Sequence, residues 1–309
     1  MRVSFSRRRC GATAGGATLA LGAAAALALG GGPAVAASTG APLAKAASRG
    51  SVSVLYAGSL EDFMEKDLGP AFQRSSGYGF EGFGGGSTEL ASEIKSNVRQ
   101  GDVFLSASPE SDGELEGGRN GGWASWYSTY ATSPLELGYN PKTKFGRELA
   151  KGVPWYKVLT QKGIVVGRTE PKLDPKGRLT VEAVHAAARK LKEAALDTAL
   201  KGFPVYPETA LVGRLQSGQL DAGFFYAIEA KAAKFPTVAL TPIQKFAEYT
   251  VTILNRNTDR AGSEAFVRYL LSSQRADTLK DNGLTAVKPS FHGRASAVPR
   301  SLRGIVGAG

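Results

Sequence analysis

Apolar and polar residues alternate along the chain in patterns that predict strands and helices in turn. Five such segments open the folded region, in this order: a strand at 52–56, a helix at 60–68, a strand at 78–83, a helix at 89–98 and a strand at 102–108. In the second helix, Leu90, Ile94 and Val98 recur at every fourth position and form one inward-facing stripe. Strands that alternate with helices indicate an α/β fold with a mostly parallel sheet.

The second half of the chain repeats this pattern and indicates two lobes. Strands are predicted at 135–139, 164–166, 220–226 and 249–255, together with a long amphipathic helix at 181–200. Extended segments near 131–137 and 241–251 join the two runs of strand–helix units, so the chain would cross between lobes twice. We therefore predict lobe I at 51–133 plus 247–309 and lobe II at 134–246.

The N-terminal region has the features of an export signal. Three arginines at 7–9 precede an apolar, alanine-rich segment at 17–29, and an A-x-A sequence at 34–36 offers a cleavage site. The apolar segment is shorter than the roughly 20 residues that a transmembrane helix needs. We predict a signal peptide at 1–36, a flexible leader at 37–50, and export to the periplasm or the outer face of the cell membrane. The sequence leaves the Sec and twin-arginine routes both open.

Charge and composition narrow the kinds of partner. The 309 residues are 42% hydrophobic and 21% charged, which is typical of a globular protein. There are 38 Lys and Arg against 27 Asp and Glu; four of the arginines and no acid lie before residue 37, which leaves the remainder at +7. No dense basic block with interleaved aromatics occurs, so we expect no nucleic-acid partner, and a moderately basic surface favours small anions. The single cysteine, Cys10, lies in the predicted signal peptide, so the mature chain would have no disulfide.

Serines at two predicted helix starts are candidates for binding an anion. Ser59 follows the first strand, and Ser87 follows Gly84-Gly85-Gly86 after the next strand. A helix start presents free N–H groups and a partial positive charge, and glycines let a ligand approach the backbone. Both serines lie where strands of a parallel sheet end, which is where ligands bind in such folds. Either serine could instead be only a helix cap, and the glycine run matches neither a Walker loop nor a dinucleotide fingerprint.

Three further residues complete the candidate set, and each also has a structural explanation. Asp174 precedes Pro175, which is a common way to open a turn. Glu208 lies in the first turn of a predicted helix, where an acid complements the helix dipole. Tyr226 ends a buried strand and could belong to the core. Residue type and position leave ligand binding and these structural roles both open.

The sequence lacks the usual parts of a hydrolase. Its two histidines are His185, in an alanine-rich helix, and His292, near the C-terminus, and no G-x-S-x-G elbow occurs. Neither an H-E-x-x-H motif nor a Cys/His cluster marks a zinc site. We therefore expect no enzymatic activity and no cofactor apart from a bound ligand. An exported hydrolase of an anionic substrate is kept as the less favoured alternative.

Several motifs resemble those of the molybdate/tungstate-binding proteins of ABC transporters. They are, in order, LYAGSL at 55–60, Gly86-Ser87, LDPKG at 173–177, Glu208-Thr209 and LQSGQLDAGFFY at 215–226. The likeness spans most of residues 51–290 and is nearest to the branch typified by archaeal tungstate-binding proteins. It implies a type II periplasmic-binding-protein fold of two α/β lobes that hold an oxyanion in the cleft between them. It also implies an ABC permease in the membrane as partner, and we expect a monomer.

The resemblance further implies roles for the candidate residues. Ser59 and Ser87 would donate hydrogen bonds to the oxyanion, and Tyr226 matches a tyrosine of the cleft. Asp174 and Glu208 stand where this branch has the acids that complete a six-coordinate shell around molybdenum or tungsten. These five residues form the predicted ligand site, and the two acids form the predicted metal contact.

One departure from the family concerns the loop after Asp174. The family often has Cys and Tyr around the glycine that follows Asp-Pro, whereas this chain has Lys176 and Arg178. The charge of the loop is therefore different, and the sequence leaves open whether Asp174 reaches the ligand.

Two buried acids would also discriminate between ligands. Beside sulfate they would place three anionic groups in a dry cleft, which is costly, whereas Mo(VI) and W(VI) accept carboxylate oxygens. The same fold with sulfate, phosphate or iron(III) stays an alternative, although ferric-binding relatives favour paired tyrosines and only Tyr226 is evident. Molybdate and tungstate are nearly the same size, so the sequence does not rank them.

Overall fold

The structure is a computed structural model that describes residues 49–309. The predicted signal peptide at 1–36, and all but the last two residues of the predicted leader at 37–50, lie outside the described residues. Within the described part, none of the helices combines the length and the hydropathy that crossing a membrane requires.

Ten strands form one mixed sheet in the described part of the chain. They are β1 (Ser51–Ala57), β2 (Gly79–Gly85), β3 (Val103–Leu105), β4 (Trp126–Tyr139), β5 (Val166–Thr169), β6 (Val205–Tyr206), β7 (Ala222–Tyr226), β8 (Thr237–Ala239), β9 (Phe246–Ile253) and β10 (Thr285–Gly293). The α-helices are α1 (Gly69–Ser76), α2 (Ser87–Lys95), α3 (Pro109–Gly113), α4 (Lys144–Ala150), α5 (Trp155–Val158), α6 (Pro175–Lys190), α7 (Ala195–Gly202), α8 (Glu208–Gln216), α9 (Ala227–Ala233), α10 (Arg260–Leu270), α11 (Ala276–Asp281) and α12 (Arg303–Val306). Short 3₁₀ segments occupy Gly58–Leu60, Gly118–Asn120, Ser273–Arg275 and Ala295–Ala297, and a π-helical segment occupies Phe63–Leu68.

The sheet contains two parallel groups of strands joined by two antiparallel strands. Its order is β2-β1-β3-β9-β4-β7-β5-β6, and β8 and β10 also pair with β4. β1 pairs in parallel with β2 and β3, and β5 pairs in parallel with β6 and β7. Between these groups, β4 pairs with β9 over 128–134 and with β7 over 135–139. The predicted α/β class is confirmed, whereas the lobe bounds (51–133 with 247–309, and 134–246) stay a prediction.

The apolar stripe predicted at 89–98 is buried except at its last residue. Leu90 and Ile94 pack in the core, but Val98, which has the same spacing, is 73% exposed. The reason is that α2 ends at Lys95 and the chain takes a left-handed conformation at Asn97, where φ is +58°. The prediction for Val98 is wrong because the apolar spacing continues one turn beyond the helix.

A buried carboxyl group joins the end of β3 to β9. Asp112 accepts hydrogen bonds at Oδ2 from Ser106 Oγ, at 2.7 Å, and from Thr250 Oγ1, while Oδ1 has no partner in the described chain. Burial raises the pKa of Asp112 to about 7, although the two hydroxyl donors oppose that shift. Ser106 follows β3 as Ser59 follows β1 and Ser87 follows β2, but its hydroxyl group is already hydrogen-bonded within this cluster.

Replacing Asp112 with asparagine is expected to flatten the dependence of the unfolding free energy on pH. The folded-state pKa is raised above the ordinary value of 3.8, so the protonated carboxyl stabilises the folded chain at low pH, and this contribution is lost as the pH rises toward 7. Between pH 5 and pH 8 the wild type should lose about 2 to 3 kcal/mol relative to the variant. Urea unfolding at several pH values measures the difference, and parallel curves for the two proteins would contradict it.

Candidate functional site

A tight turn after β1 buries Ser59 close to an acid from a distant part of the chain. Because the 3₁₀ segment Gly58–Leu60 follows the strand directly, the Ser59 side chain turns inward, and its Oγ lies 2.9 Å from the hydroxyl of Tyr249. The turn lies so close to Glu208 that a Cβ added at Gly58 would be 1.6 Å from Glu208 Oε2. Only glycine fits at this position in the present arrangement.

Ser87 begins α2, but its side chain does not cap the helix. The N-cap is Gly86, and the Ser87 Oγ instead accepts a hydrogen bond from Ala107 N, at 3.0 Å. The start of α2 packs against the carbonyl group of Leu173, which accepts a hydrogen bond from Glu89 N at 2.9 Å. A Cβ added at Gly86 would lie 2.5 Å from this carbonyl oxygen. The glycine therefore permits a close approach between two distant segments.

Asp174 uses one carboxylate oxygen to cap α6 and leaves the other without a partner. Oδ1 accepts a hydrogen bond from Lys176 N, at 3.1 Å, in front of a helix that starts at Pro175. Oδ2 is buried and has no hydrogen-bond partner in the described chain. The Asp-Pro sequence opens a helix where the sequence suggested a turn, and this capping role accounts for only one of the two carboxylate oxygens.

Glu208 begins α8 and shows the same division between its two oxygens. Oε1 lies 3.1 Å from Nζ of Lys176, whereas Oε2 is buried against Gly58 without a hydrogen-bond partner in the described chain. Burial raises the pKa of Glu208 well above its ordinary value, and the nearby ammonium of Lys176 acts in the opposite direction. A second buried acid therefore presents one unpaired oxygen.

Tyr226 ends β7 with a buried hydroxyl group that has no hydrogen-bond partner in the described chain. Its ring packs edge-on against Tyr249, with ring centroids 6.2 Å apart, and its backbone N–H donates to Glu229 Oε2 at 2.8 Å. Burial raises the pKa of Tyr226 well above its ordinary value. The hydroxyl therefore keeps its proton and is available as a hydrogen-bond donor.

The structure brings the five predicted residues into one region, at or after the C-terminal ends of β1 and β2 in one parallel group and of β5, β6 and β7 in the other. Ser59 lies beside Glu208, and Ser87 lies beside Asp174, since a Cβ added at the glycine before Ser87 would be 3.4 Å from Asp174 Cβ. Tyr226 belongs to the same region because its ring packs against Tyr249, whose hydroxyl contacts Ser59. A cleft of about 200 Å³ borders Ser59 and Glu208 but is not lined by the other three residues.

Three members of this region were missed by the sequence reasoning. Lys176 is fully buried, and its Nζ contacts Glu208 Oε1 and, at 2.6 Å, Glu229 Oε1. Tyr249 contacts Ser59, as described above. The sequence did mark Lys176 as a departure from the family, but a lysine in a loop is usually solvated. Glu229 and Tyr249 carry no sequence signal, because their contacts join residues 53 and 190 positions apart.

Three buried carboxyl groups share a single ammonium group in this region. Burial alone would lower the pKa of Lys176, but the carboxylates of Glu208, Glu229 and Asp174 raise it, so Lys176 stays charged. Burial raises the pKa of Glu229, as it does for Glu208, and the ammonium of Lys176 acts against both shifts. No group of three or more His, Cys, Asp or Glu within residues 49–309 is arranged to hold a bare metal ion.

Comparison with known families identifies the class of protein. The profile of the bacterial extracellular solute-binding protein family matches residues 52–285. A relative from Haloferax volcanii, named as an ABC transporter molybdenum-binding protein, is 30% identical over 223 residues, which cover 72% of this chain and 67% of the relative. The molybdate/tungstate-binding protein WtpA of Pyrococcus abyssi is 22% identical over 236 residues, covering 60% of this chain and 68% of that protein. The resemblance seen in the sequence motifs is confirmed.

Solved structures of periplasmic binding proteins share the fold. The periplasmic molybdate-binding protein of Azotobacter vinelandii superposes with a TM-score of 0.60 at 20% identity, covering 76% of this chain and 98% of that one. The sulfate-binding protein SubI of Mycobacterium tuberculosis superposes with a TM-score of 0.58 at 17% identity, covering 77% and 87%. Likenesses at this level of identity show the two-lobe type II fold, which confirms the predicted architecture. They do not identify the ligand, which has to be inferred from the residues of the site.

Proposed function

The chain belongs to the bacterial extracellular solute-binding protein family, and from that premise we propose that it captures molybdate or tungstate for an ABC permease in the membrane. The two lobes close over the oxyanion, and the loaded protein then delivers it as a monomer. Transport proteins of this family act outside the cytoplasm, which agrees with the export signal predicted at 1–36.

The observation that carries this proposal is the pair of unpaired carboxylate oxygens. Asp174 Oδ2 and Glu208 Oε2 are buried without partners in the described chain, and a buried unpaired carboxylate is costly. Molybdenum(VI) and tungsten(VI) accept oxygen ligands beyond the four of the oxyanion, so the two acids would raise the coordination from four to six. Ser59, Ser87 and Tyr226 would then supply hydrogen bonds to the oxyanion oxygens.

The same two acids disfavour sulfate. Sulfur in sulfate accepts no further oxygen ligands, and sulfate has no proton to donate at neutral pH, so the unpaired oxygens would only repel it. Phosphate differs, because its protonated forms have O–H groups that could donate a hydrogen bond to a carboxylate oxygen. Phosphate is therefore the stronger competitor, and an experiment on the ligand has to include it.

No covalent chemistry is proposed for this site. His185 pairs with Asp197 and His292 pairs with Glu116, so neither histidine is poised beside Ser59 or the other candidate residues. A serine without a general base is a weak nucleophile. A binding role therefore accounts for the buried serines better than an exported hydrolase does.

A panel of oxyanions tests the proposed function. Tungstate or molybdate at about 100 times its Kd should add about 2.7 kcal/mol to the free energy of unfolding and raise the melting temperature by about 5–10 °C. Sulfate and phosphate at the same concentration should change it by less than about 1 °C. An equal or larger shift with sulfate or phosphate, or no shift with either metal oxyanion, would overturn the assignment.

A further inference from the structure

Lys176 is an unusual residue to find at the start of a buried helix. It lies in the first turn of α6, directly after Asp174-Pro175, and its side chain is entirely buried. Its Nζ lies 5.8 Å from the ring centroids of Phe225 and Tyr226, so the ammonium group is enclosed by aromatic side chains as well as by acids. A lysine is almost never buried so completely unless its charge is paired.

Lys176 contacts both candidate acids, and it contacts each of them at one oxygen. Its backbone N–H donates to Asp174 Oδ1 at 3.1 Å, and its Nζ donates to Glu208 Oε1 at 3.1 Å. The other oxygen of each acid, Asp174 Oδ2 and Glu208 Oε2, is the one without a partner in the described chain. One residue thus determines which oxygen of each acid remains free.

Glu229 extends this arrangement to the third candidate in the same half of the sheet. Its Oε1 accepts a hydrogen bond from Lys176 Nζ at 2.6 Å, and its Oε2 accepts one from the backbone N–H of Tyr226 at 2.8 Å. Both carboxylate oxygens of Glu229 are therefore occupied, unlike those of Asp174 and Glu208. Glu229 is an anchor for Lys176 and not a further ligand.

We propose that Lys176, anchored by Glu229, is the positioning residue that presents one oxygen of Asp174 and one oxygen of Glu208 to the metal atom of the bound oxyanion. The inference rests on the proposed function and adds a residue that the family motif does not contain at this position. Within residues 49–309 the ammonium is also the one side-chain cation in contact with Glu208 and Glu229, so it offsets part of the repulsion that a doubly charged oxyanion meets on entering.

Replacing Lys176 with methionine separates the two kinds of contact. The variant keeps the backbone N–H that holds Asp174, and it removes the ammonium that holds Glu208, with little change in side-chain length. We expect tungstate affinity to fall by about 10- to 100-fold, the range seen when a residue that orients a metal ligand is removed. X-ray absorption at the tungsten edge should show fewer than six oxygen neighbours in the variant, since Glu208 is no longer held in place. Lys172 is exposed and lies in the turn just before α6, so Lys172→Met is the control for loss of one charge and should stay within about twofold of wild type.

A double variant distinguishes two roles of Lys176: positioning the acids for the ligand, and neutralising buried charge so that the chain folds. Lys176→Met with Glu229→Gln removes one cation and one anion together, so it restores the charge balance of the buried region even if the single variant does not fold. Under our inference the double variant folds, binds tungstate weakly and still shows a reduced coordination number. Wild-type affinity with six oxygen neighbours, in either variant, would overturn the inference. Failure of the wild type itself to bind tungstate or molybdate would instead overturn the proposed function.

Discussion

Glu208→Gln is expected to weaken tungstate binding by about 100-fold, which corresponds to about 2.7 kcal/mol. Glutamine preserves the size of the side chain but removes the charge that lets Oε2 bond to tungsten(VI). It also removes the charge from the contact between Oε1 and Lys176, which is 3.1 Å long in the wild type, while an amide oxygen can still accept that hydrogen bond. Isothermal titration at one fixed pH measures the change directly.

A surface glutamate provides the matched control for this substitution. Glu193 pairs with Lys157 at a partly exposed position outside the candidate site, so Glu193→Gln should bind tungstate within about twofold of wild type. Thermal unfolding without ligand separates a loss of binding from a loss of folding. Unchanged affinity in Glu208→Gln would show that Glu208 is not a ligand and only complements the helix dipole at the start of α8.

Gly86→Ala is expected to reduce oxyanion affinity by more than about 100-fold while changing the stability of the ligand-free protein little. The backbone at Gly86 has φ −59° and ψ 129°, which alanine adopts without strain. The added methyl group would lie 2.5 Å from the carbonyl oxygen of Leu173 and 3.4 Å from Asp174 Cβ. Because a backbone carbonyl has little freedom to move aside, the start of α2 and the loop before α6 would have to separate.

The cost of this separation should lower the oxyanion affinity and leave the free energy of unfolding of the ligand-free protein nearly unchanged. In a two-lobe protein the open form relieves the clash, so the cost falls on the closed, ligand-bound form. Gly202→Ala is the control, since an added Cβ at Gly202 meets nothing within 4 Å. Titration calorimetry gives the affinities and urea unfolding gives the stabilities. A Gly86→Ala protein that binds tungstate like the wild type would show that this contact does not belong to the closed form.

The sequence predicted the frame of the site better than the details of its contacts. Ser59 and Ser87 follow strands of a parallel sheet, and topology alone places such residues on one edge. The alternative in which these serines only cap helices does not hold: the 3₁₀ turn at 58–60 and α2 both lack a side-chain cap, and the two hydroxyls contact Tyr249 and Ala107 N instead. Local pattern predicts where a helix begins, but not which tertiary partner a small polar side chain will choose.

The buried charges show the limit of sequence reasoning most clearly. Nothing in the periodicity of α6 or α9 indicates that Lys176 and Glu229 will meet, because the contact depends on how the two helices pack over β5 and β7. The sequence does mark Lys176 as a charged departure from the family pattern after Asp174. The direction of the side chain, toward the acids and away from solvent, follows only from the folded structure.

The central claim is that two serines and two acids from opposite parts of the sheet surround one oxyanion. A crystal structure of the protein grown with tungstate tests it most directly. The account predicts tungsten bonded to six oxygens, including Asp174 Oδ2 and Glu208 Oε2, with Ser59 and Ser87 in hydrogen-bond contact with the oxyanion. A four-coordinate tungstate bound away from both carboxylates, or an occupied cleft in which Lys176 keeps no contact with Glu208, would contradict it.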